Sequence, residues 1–272
     1  MELLRNVGRW GNSAGVLLPR EWLGSQVKVI FLNRTLDIKR EALSILEPYL
    51  EDVLGIYLVG SYARGEQEPD SDVDIIALSK KTKKEISSGK YHISLITLES
   101  AKKTILKNPI LILPRLNEAK VILNSSLLEE LKSVKLTKES FKNFIDETKR
   151  IIKIDSGFIA LDRKQGREIL DSVSIIYSLI LRLRSVFLIK CLFNKRNYSK
   201  KEFLNWLKKG SNAEESEKTY EVYKAIRDNK KINEKIKIET AEKLLEMLKI
   251  KVKELSGLKK TKKRKENQLE KS

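Results

Sequence analysis

The chain has one cysteine, Cys191, and one histidine, His92, in 272 residues. A single thiol excludes an intrachain disulfide framework, a four-cysteine zinc site and a CxxC redox pair. A single imidazole excludes any centre built on two histidines, HExxH among them. Long apolar runs are also missing. The longest uncharged apolar stretch of the C-terminal half, Ser172–Leu181, is closed off by Arg182 and Arg184, far short of a membrane span. The opening Met1-Glu-Leu-Leu-Arg-Asn lacks the apolar core of a signal peptide. Together these absences give the expectation of a cytoplasmic protein in a reducing compartment, with no membrane partner. Hydrophobic residues make up 41% of the chain, enough for a packed core.

Acidic residues are in deficit: 37 against 55 lysines and arginines, a net charge of +18. The excess is not uniform. Residues 1–40 carry +4, residues 41–133 carry −2, residues 134–257 carry +11 and residues 258–272 carry +5. Basic flanks around a slightly acidic middle favour polyanions such as nucleic acid or nucleotide phosphates. For residues 134–257 a Lys/Glu-rich charge network of the kind found in heat-adapted proteins explains the counts equally well. The tail Lys259-Lys-Thr-Lys-Lys-Arg-Lys265 is expected to be disordered and to attract polyanions.

Pattern divides the chain further. Residues 1–32 read as short strands broken by Gly-Asn-Ser and Pro-Arg-Glu. Residues 36–52 carry a helical apolar stripe through Leu36, Ile38, Ala42, Leu43, Ile45, Leu46 and Leu50. Residues 54–60, 72–78 and 91–98 read as strands, with a shorter one near Lys120–Leu123. From Thr137 to Ser256 the pattern is almost wholly helical, with breaks near Lys195–Tyr198, Gly210-Ser211 and Asn229–Lys231.

The most informative stretch is Gly60-Ser-Tyr-Ala-Arg-Gly-Glu-Gln-Glu-Pro-Asp-Ser-Asp72-Val-Asp74. A buried strand ends at Gly60, which lets the backbone approach a ligand, and Ser61, which can cap a helix. A short helix through Ala63 and Arg64 then presents its first amides, an anion site. The next strand places Asp72 and Asp74 on one face and Val73 and Ile75 on the other. Two adjacent carboxylates are unfavourable unless a cation shares them, and Mg2+ held by carboxylates and substrate phosphates is the natural occupant.

Gly-Ser, ten residues, then Asp-x-Asp resembles the DNA polymerase β-like nucleotidyltransferase superfamily over about residues 36–124. The resemblance implies transfer of a nucleoside monophosphate from an NTP, ATP as the first choice, to an acceptor hydroxyl with release of pyrophosphate. It implies that Asp72 and Asp74 hold Mg2+ or Mn2+, and that Gly60, Ser61 and Arg64 contact the nucleotide. The family completes its site with a third carboxylate on the next strand. Here that strand offers His92 and Ser94 instead, which puts catalytic strength in doubt.

The segment Val7-Gly-Arg-Trp-Gly-Asn-Ser-Ala-Gly-Val…Pro-Arg-Glu resembles the AbrB/MazE-type swapped hairpin over about residues 5–32. Thirty residues cannot bury a core alone, so this resemblance implies a homodimer. It makes Arg5, Arg9, Arg20 and Lys28 candidates for DNA phosphate contact. Trp10 and Trp22 are expected in a core rather than stacked on bases. Residues 137–256 look like the helical domain of kanamycin-type nucleotidyltransferases and HEPN-like bundles. The absence of histidine there argues against ribonuclease chemistry. Tyr220, Tyr223, Lys224 and Arg227 share one helical face that could line a nucleotide cleft, although packing explains it as well. Arg182 and Arg184 are similar candidates, and Cys191 is expected to be a buried hydrophobe.

The expected protein is therefore mixed α+β: a small mixed β-sheet with helices, an N-terminal β-hairpin and a C-terminal helical bundle. Its expected divisions are 1–33 (dimerising or DNA-binding hairpin), 34–133 (nucleotidyltransferase), 134–257 (helical bundle) and 258–272 (basic tail). The rival expectations are a non-catalytic, nucleotide-sensing DNA-binding regulator and an antitoxin-like protein.

Overall fold

The computed structural model describes residues 5, 8–28, 37–209, 213–232 and 234–257. The expectations for the tail 258–272, for hairpin residues beyond Lys28, for Leu36 and for a break at Gly210-Ser211 lie outside these residues.

The N-terminal segment forms β1 (Gly8–Trp10) and β2 (Ser13–Gly15), paired antiparallel with Trp10 opposite Ser13. Gly11 turns the chain with φ 58°, as a two-residue hairpin requires. A 3-10 turn, Arg20–Trp22, follows Pro19. In the single chain the Trp10 side chain is 62% exposed, and Leu17, Leu23 and Val27 are exposed with it. The Trp10 ring lies over Gly15, where a Cβ would meet it.

The central unit begins with α1 (Ile38–Leu46), capped by the Asp37 carboxylate, which accepts from the Arg40 amide at 3.2 Å. There follow β3 (Val53–Val59), α2 (Gly60–Arg64), β4 (Val73–Ser79), β5 (Lys84–Ser88), β6 (Tyr91–Thr97), α3 (Leu98–Lys107), α4 (Leu113–Asn117), β7 (Lys120–Leu123) and α5 (Ser125–Lys132). The sheet order is β5-β6-β4-β3-β7, with β4 and β6 parallel and the other pairs antiparallel, so the unit is mixed α+β. Strand alternation gives the sheet two buried faces. Ile56, Leu58, Ile75, Ile93 and Leu95 pack on α1. Tyr57, Val59, Ile76 and Leu78 pack beneath α3, α4 and α5. Burial on both faces is why β3 and β4 read as near-continuous apolar runs.

The helical region comprises α6 (Lys142–Lys164), α7 (Ser174–Phe193), α8 (Lys200–Leu207), α9 (Ala213–Arg227) and α10 (Ile238–Gly257). α7 is apolar nearly all round because α6, α9 and α10 enclose it. A break absent from the sequence reading separates α6 from α7: Gly166 adopts φ 72°, and Ile169 bridges to Lys237. Leu113 of α4 joins the bundle's core, tying the two units together.

Candidate functional site

The site forms where β3 ends and β4 begins. Val59 lies opposite Asp74 in the antiparallel ladder, and Gly60 follows with φ 74°. A Cβ on Gly60 would stand 2.5 Å from Asp74 Oδ2, so both the backbone angle and the missing side chain are required here. Asp72 precedes β4 and shares Asp74's face by strand alternation. Asp74 is half-buried and accepts no hydrogen bond among the described residues. Burial raises its carboxyl above the ordinary range, while Arg115 and then His92 pull it back. Asp72 is more open, with 58% of its side chain exposed.

The parallel pairing sets His92 beside Asp74 and Ser94 beside Ile76, on the same face. His92 Nε2 lies 3.7 Å from Asp72 Oδ2, and its Nδ1 is 3.2 Å from the Ser87 hydroxyl. Ser94 is one step further along and donates to Glu85 Oε2 at 2.9 Å. Of the two sequence candidates for the third position, His92 is the one brought to the aspartates.

Two local readings change. Ser61 does not cap α2: the cap position is Val59, and no side chain caps that end. Ser61 stands inside the first turn, half-buried, beside Gly60. Arg64 is not a free cation. Its Nε donates to Glu66 at 2.8 Å and its Nη1 to Glu118 Oε1 at 2.7 Å. The same Glu118 oxygen accepts the Gly60 amide at 3.0 Å. Glu118 is only 8% exposed, and burial raises its carboxyl against the opposing pull of Arg64. The guanidiniums of Arg64 and Arg184 lie 5.3 and 4.9 Å from the centre of the Tyr198 ring. Glu118 is invisible to sequence reasoning because its partners are 54 and 58 residues away.

The loop from Gly65 to Ser71 is fastened to the helical bundle. Glu66 accepts the Lys200 amide at 3.1 Å, and Glu68 accepts Lys200 Nζ and Lys224 Nζ, each at 2.9 Å. Hydrogen bonds from the two ammonium groups hold the Glu68 carboxyl down at about 2. Of the helical face considered for a nucleotide cleft, Tyr220 and Tyr223 are buried in the bundle and Arg227 pairs with Asp228 at 2.7 Å. Only Lys224 reaches the loop beside the aspartates. Arg182 pairs with Glu147, and Cys191 is buried. In the hairpin, Arg5, Arg20 and Lys28 are exposed, and the Arg9 side chain lies outside the described residues.

Among the described residues no group of three or more His, Cys, Asp or Glu is placed to hold a metal unaided. Asp72 and Asp74 nevertheless suit a hard divalent cation. They supply two oxygen donors on one face, one of them half-buried without a hydrogen bond, and leave the remaining positions to phosphate and water.

The family model for the nucleotidyltransferase domain matches residues 38–158. No curated protein matches the sequence. Among solved structures, the chain is similar to a spectinomycin adenyltransferase from Enterococcus faecialis, solved with ATP and spectinomycin. The two are 15% identical, with 79% of this chain and 97% of that one covered and a TM-score of 0.41. It is also similar to a nucleotidyltransferase-like protein from Exiguobacterium sibiricum, at 12% identity, with 80% and 75% covered and a TM-score of 0.36. Among the described residues no helix is long and apolar enough to cross a membrane.

Proposed function

We propose that the chain, which carries a nucleotidyltransferase domain at residues 38–158, moves a nucleoside monophosphate from an NTP to an acceptor hydroxyl and releases pyrophosphate. ATP is the first nucleotide to test. The observation that carries this reading is the pair Asp72 and Asp74 on one sheet face, packed against a glycine whose Cβ would touch Asp74. Mg2+ or Mn2+ is the cofactor these oxygens suit, and it would supply charge neutralisation at the triphosphate. Gly60 and Ser61 line the approach for the phosphates. His92 Nε2, beside Asp72, is the atom that takes the acceptor's proton.

The reading is tested by titrating each of the four NTPs into the full chain by calorimetry, with and without Mg2+. Asp74→Ala and Asp72→Ala should abolish the Mg2+-dependent affinity and leave the fold intact. Burial disfavours the Asp74 charge, so its removal should leave the chain folded. Unchanged Mg2+-dependent affinity in both variants overturns the assignment.

A second reading, a nucleotide-sensing regulator without transfer activity, is favoured by one observation: the third position holds His92 rather than a carboxylate. His92→Asp separates the two. A gain in transfer rate supports a weakened site, whereas loss of robust activity in His92→Ala supports proton transfer by His92. The N-terminal hairpin, with its exposed apolar side chains, belongs to a homodimer in our reading. Its exposed basic residues Arg5, Arg20 and Lys28 are the surface we assign to DNA phosphates.

A further inference from the structure

A magnesium triphosphate remains an anion, and a site presenting two aspartates needs a positive group to receive it. Arg64, in the helix that opens the site, is already neutralised by Glu66 and Glu118. Lys200 and Lys224 are taken up by Glu68. Arg115 is different: it is half-buried, and among the described residues it has neither an ion pair nor a hydrogen bond. A half-buried guanidinium without an anion in direct contact is costly, since its desolvation is not offset.

Its position follows from how α4 is held. Leu116 packs in the layer with Val59 and Ile76, the strand neighbours of Gly60 and Asp74, so α4 lies on the sheet face that presents Asp74. Leu113 faces the bundle core, which leaves Arg115 on a third side of the helix. Glu118, one turn after Arg115, is fixed to the Gly60 amide at 3.0 Å. Gly60 in turn touches Asp74.

We propose that Arg115 is a phosphate-binding residue, whose guanidinium receives the triphosphate of the nucleotide held at Asp72 and Asp74. A planar fork of donors suits phosphate oxygens bidentately. The proposal rests on the nucleotidyltransferase reading above and adds to it the group that recognises the phosphate chain.

The experiment uses the full chain and three probes, each with Mg2+: the NTP that binds best, AMP or its matching monophosphate, and inorganic tripolyphosphate. Arg115→Gln should weaken the NTP and tripolyphosphate in step, by about tenfold to a hundredfold, and leave the monophosphate unchanged. Its melting temperature should hold, because among the described residues Arg115 makes no hydrogen bond and no close ion pair. Arg115→Lys keeps the charge without the fork and should fall between wild type and Arg115→Gln, which also decides the matter if the glutamine variant folds poorly. If both variants bind tripolyphosphate like wild type while Asp74→Ala has lost the NTP, the role of Arg115 is overturned and the nucleotidyltransferase reading stands. If wild type binds no NTP, both are overturned. Equal weakening of NTP and monophosphate with tripolyphosphate unaffected also overturns the phosphate role.

Discussion

Gly60 shows how much chemistry rests on an absent side chain. It is held at φ 74°, and the space a Cβ would fill belongs to Asp74 Oδ2. Gly65 offers the contrast, with φ 71° and nothing within 4 Å of the added Cβ. Alanine at either position pays the left-handed backbone penalty, about 1–2 kcal/mol. Only Gly60→Ala also pushes the Asp74 carboxylate aside. Thermal melts should therefore show a loss in both variants, while calorimetry with Mg2+ and NTP should show lost affinity in Gly60→Ala alone. Equal nucleotide affinity in the two would mean that the carboxylate's position is not set by Gly60. At this scale the sequence was legible where residues act within one turn of chain: Gly60, Asp72 and Asp74 fall in fifteen consecutive residues. Glu118 and Arg115 were not legible, because their relation to Gly60 and Asp74 is made by the packing of α4. The ion pairs of Arg64 are hidden for the same reason: its anions come from Glu66 and from the end of α4, and a lone arginine after Gly-Ser gives no sign of them.

Among the elements, the strongly patterned ones were legible and the weakly patterned ones were not. The apolar runs of β3, β4 and β6 declare themselves through burial on both faces. β5 does not, since Lys84-Glu-Ile-Ser-Ser is a polar edge strand with only Ile86 turned to the core. Yet β5 carries Ser87 and Glu85, the hydrogen-bond partners of His92 and Ser94. The break between α6 and α7 was also missed, because Gly166 lies among charged residues without a proline or an apolar change. The loop between α2 and β4 links element to function. Through Glu68 it ties the Asp72 strand to α8 and α9, and this tie depends on pH. Its two lysines hold the folded-state carboxyl at about 2, below the ordinary glutamate value of 4.5, so the clamp's stabilisation is fully present above 4.5 and is lost as pH falls towards 2. Wild type should melt above Glu68→Gln at neutral pH, and the gap should close between pH 4.5 and 2. A gap independent of pH in that window would show that the two lysines do not hold the carboxylate ionised. Because 44% of the side chain is exposed, added salt should narrow the neutral-pH gap.

For the whole molecule, the central sheet and the bundle each bury a core, and among the described residues the N-terminal hairpin adds none to either. β1 and β2 have three residues each, and a two-stranded hairpin of that size is at best marginal in water. Trp10, Leu17 and Leu23 are 62, 71 and 79% exposed. That much apolar surface on so short a segment is the mark of an interaction site. In the homodimer we propose, a second copy of the same hairpin would supply matching apolar surface and repeat the exposed basic residues on the outside. The full chain should therefore be a dimer by light scattering at micromolar concentration. Deletion of residues 1–33 should give a monomer that melts where the full chain's central unit and bundle melt, since neither core contains a hairpin residue. Trp10→Ser combined with Leu23→Ser should dissociate the dimer without deletion. If duplex DNA binds, the deletion should remove most of its salt-sensitive affinity, while a chain ending at Gly257 separates that effect from the basic tail. A deletion variant that remains dimeric would place the interface on the central unit or the bundle. A full chain that is monomeric would leave the exposed apolar residues to a different partner.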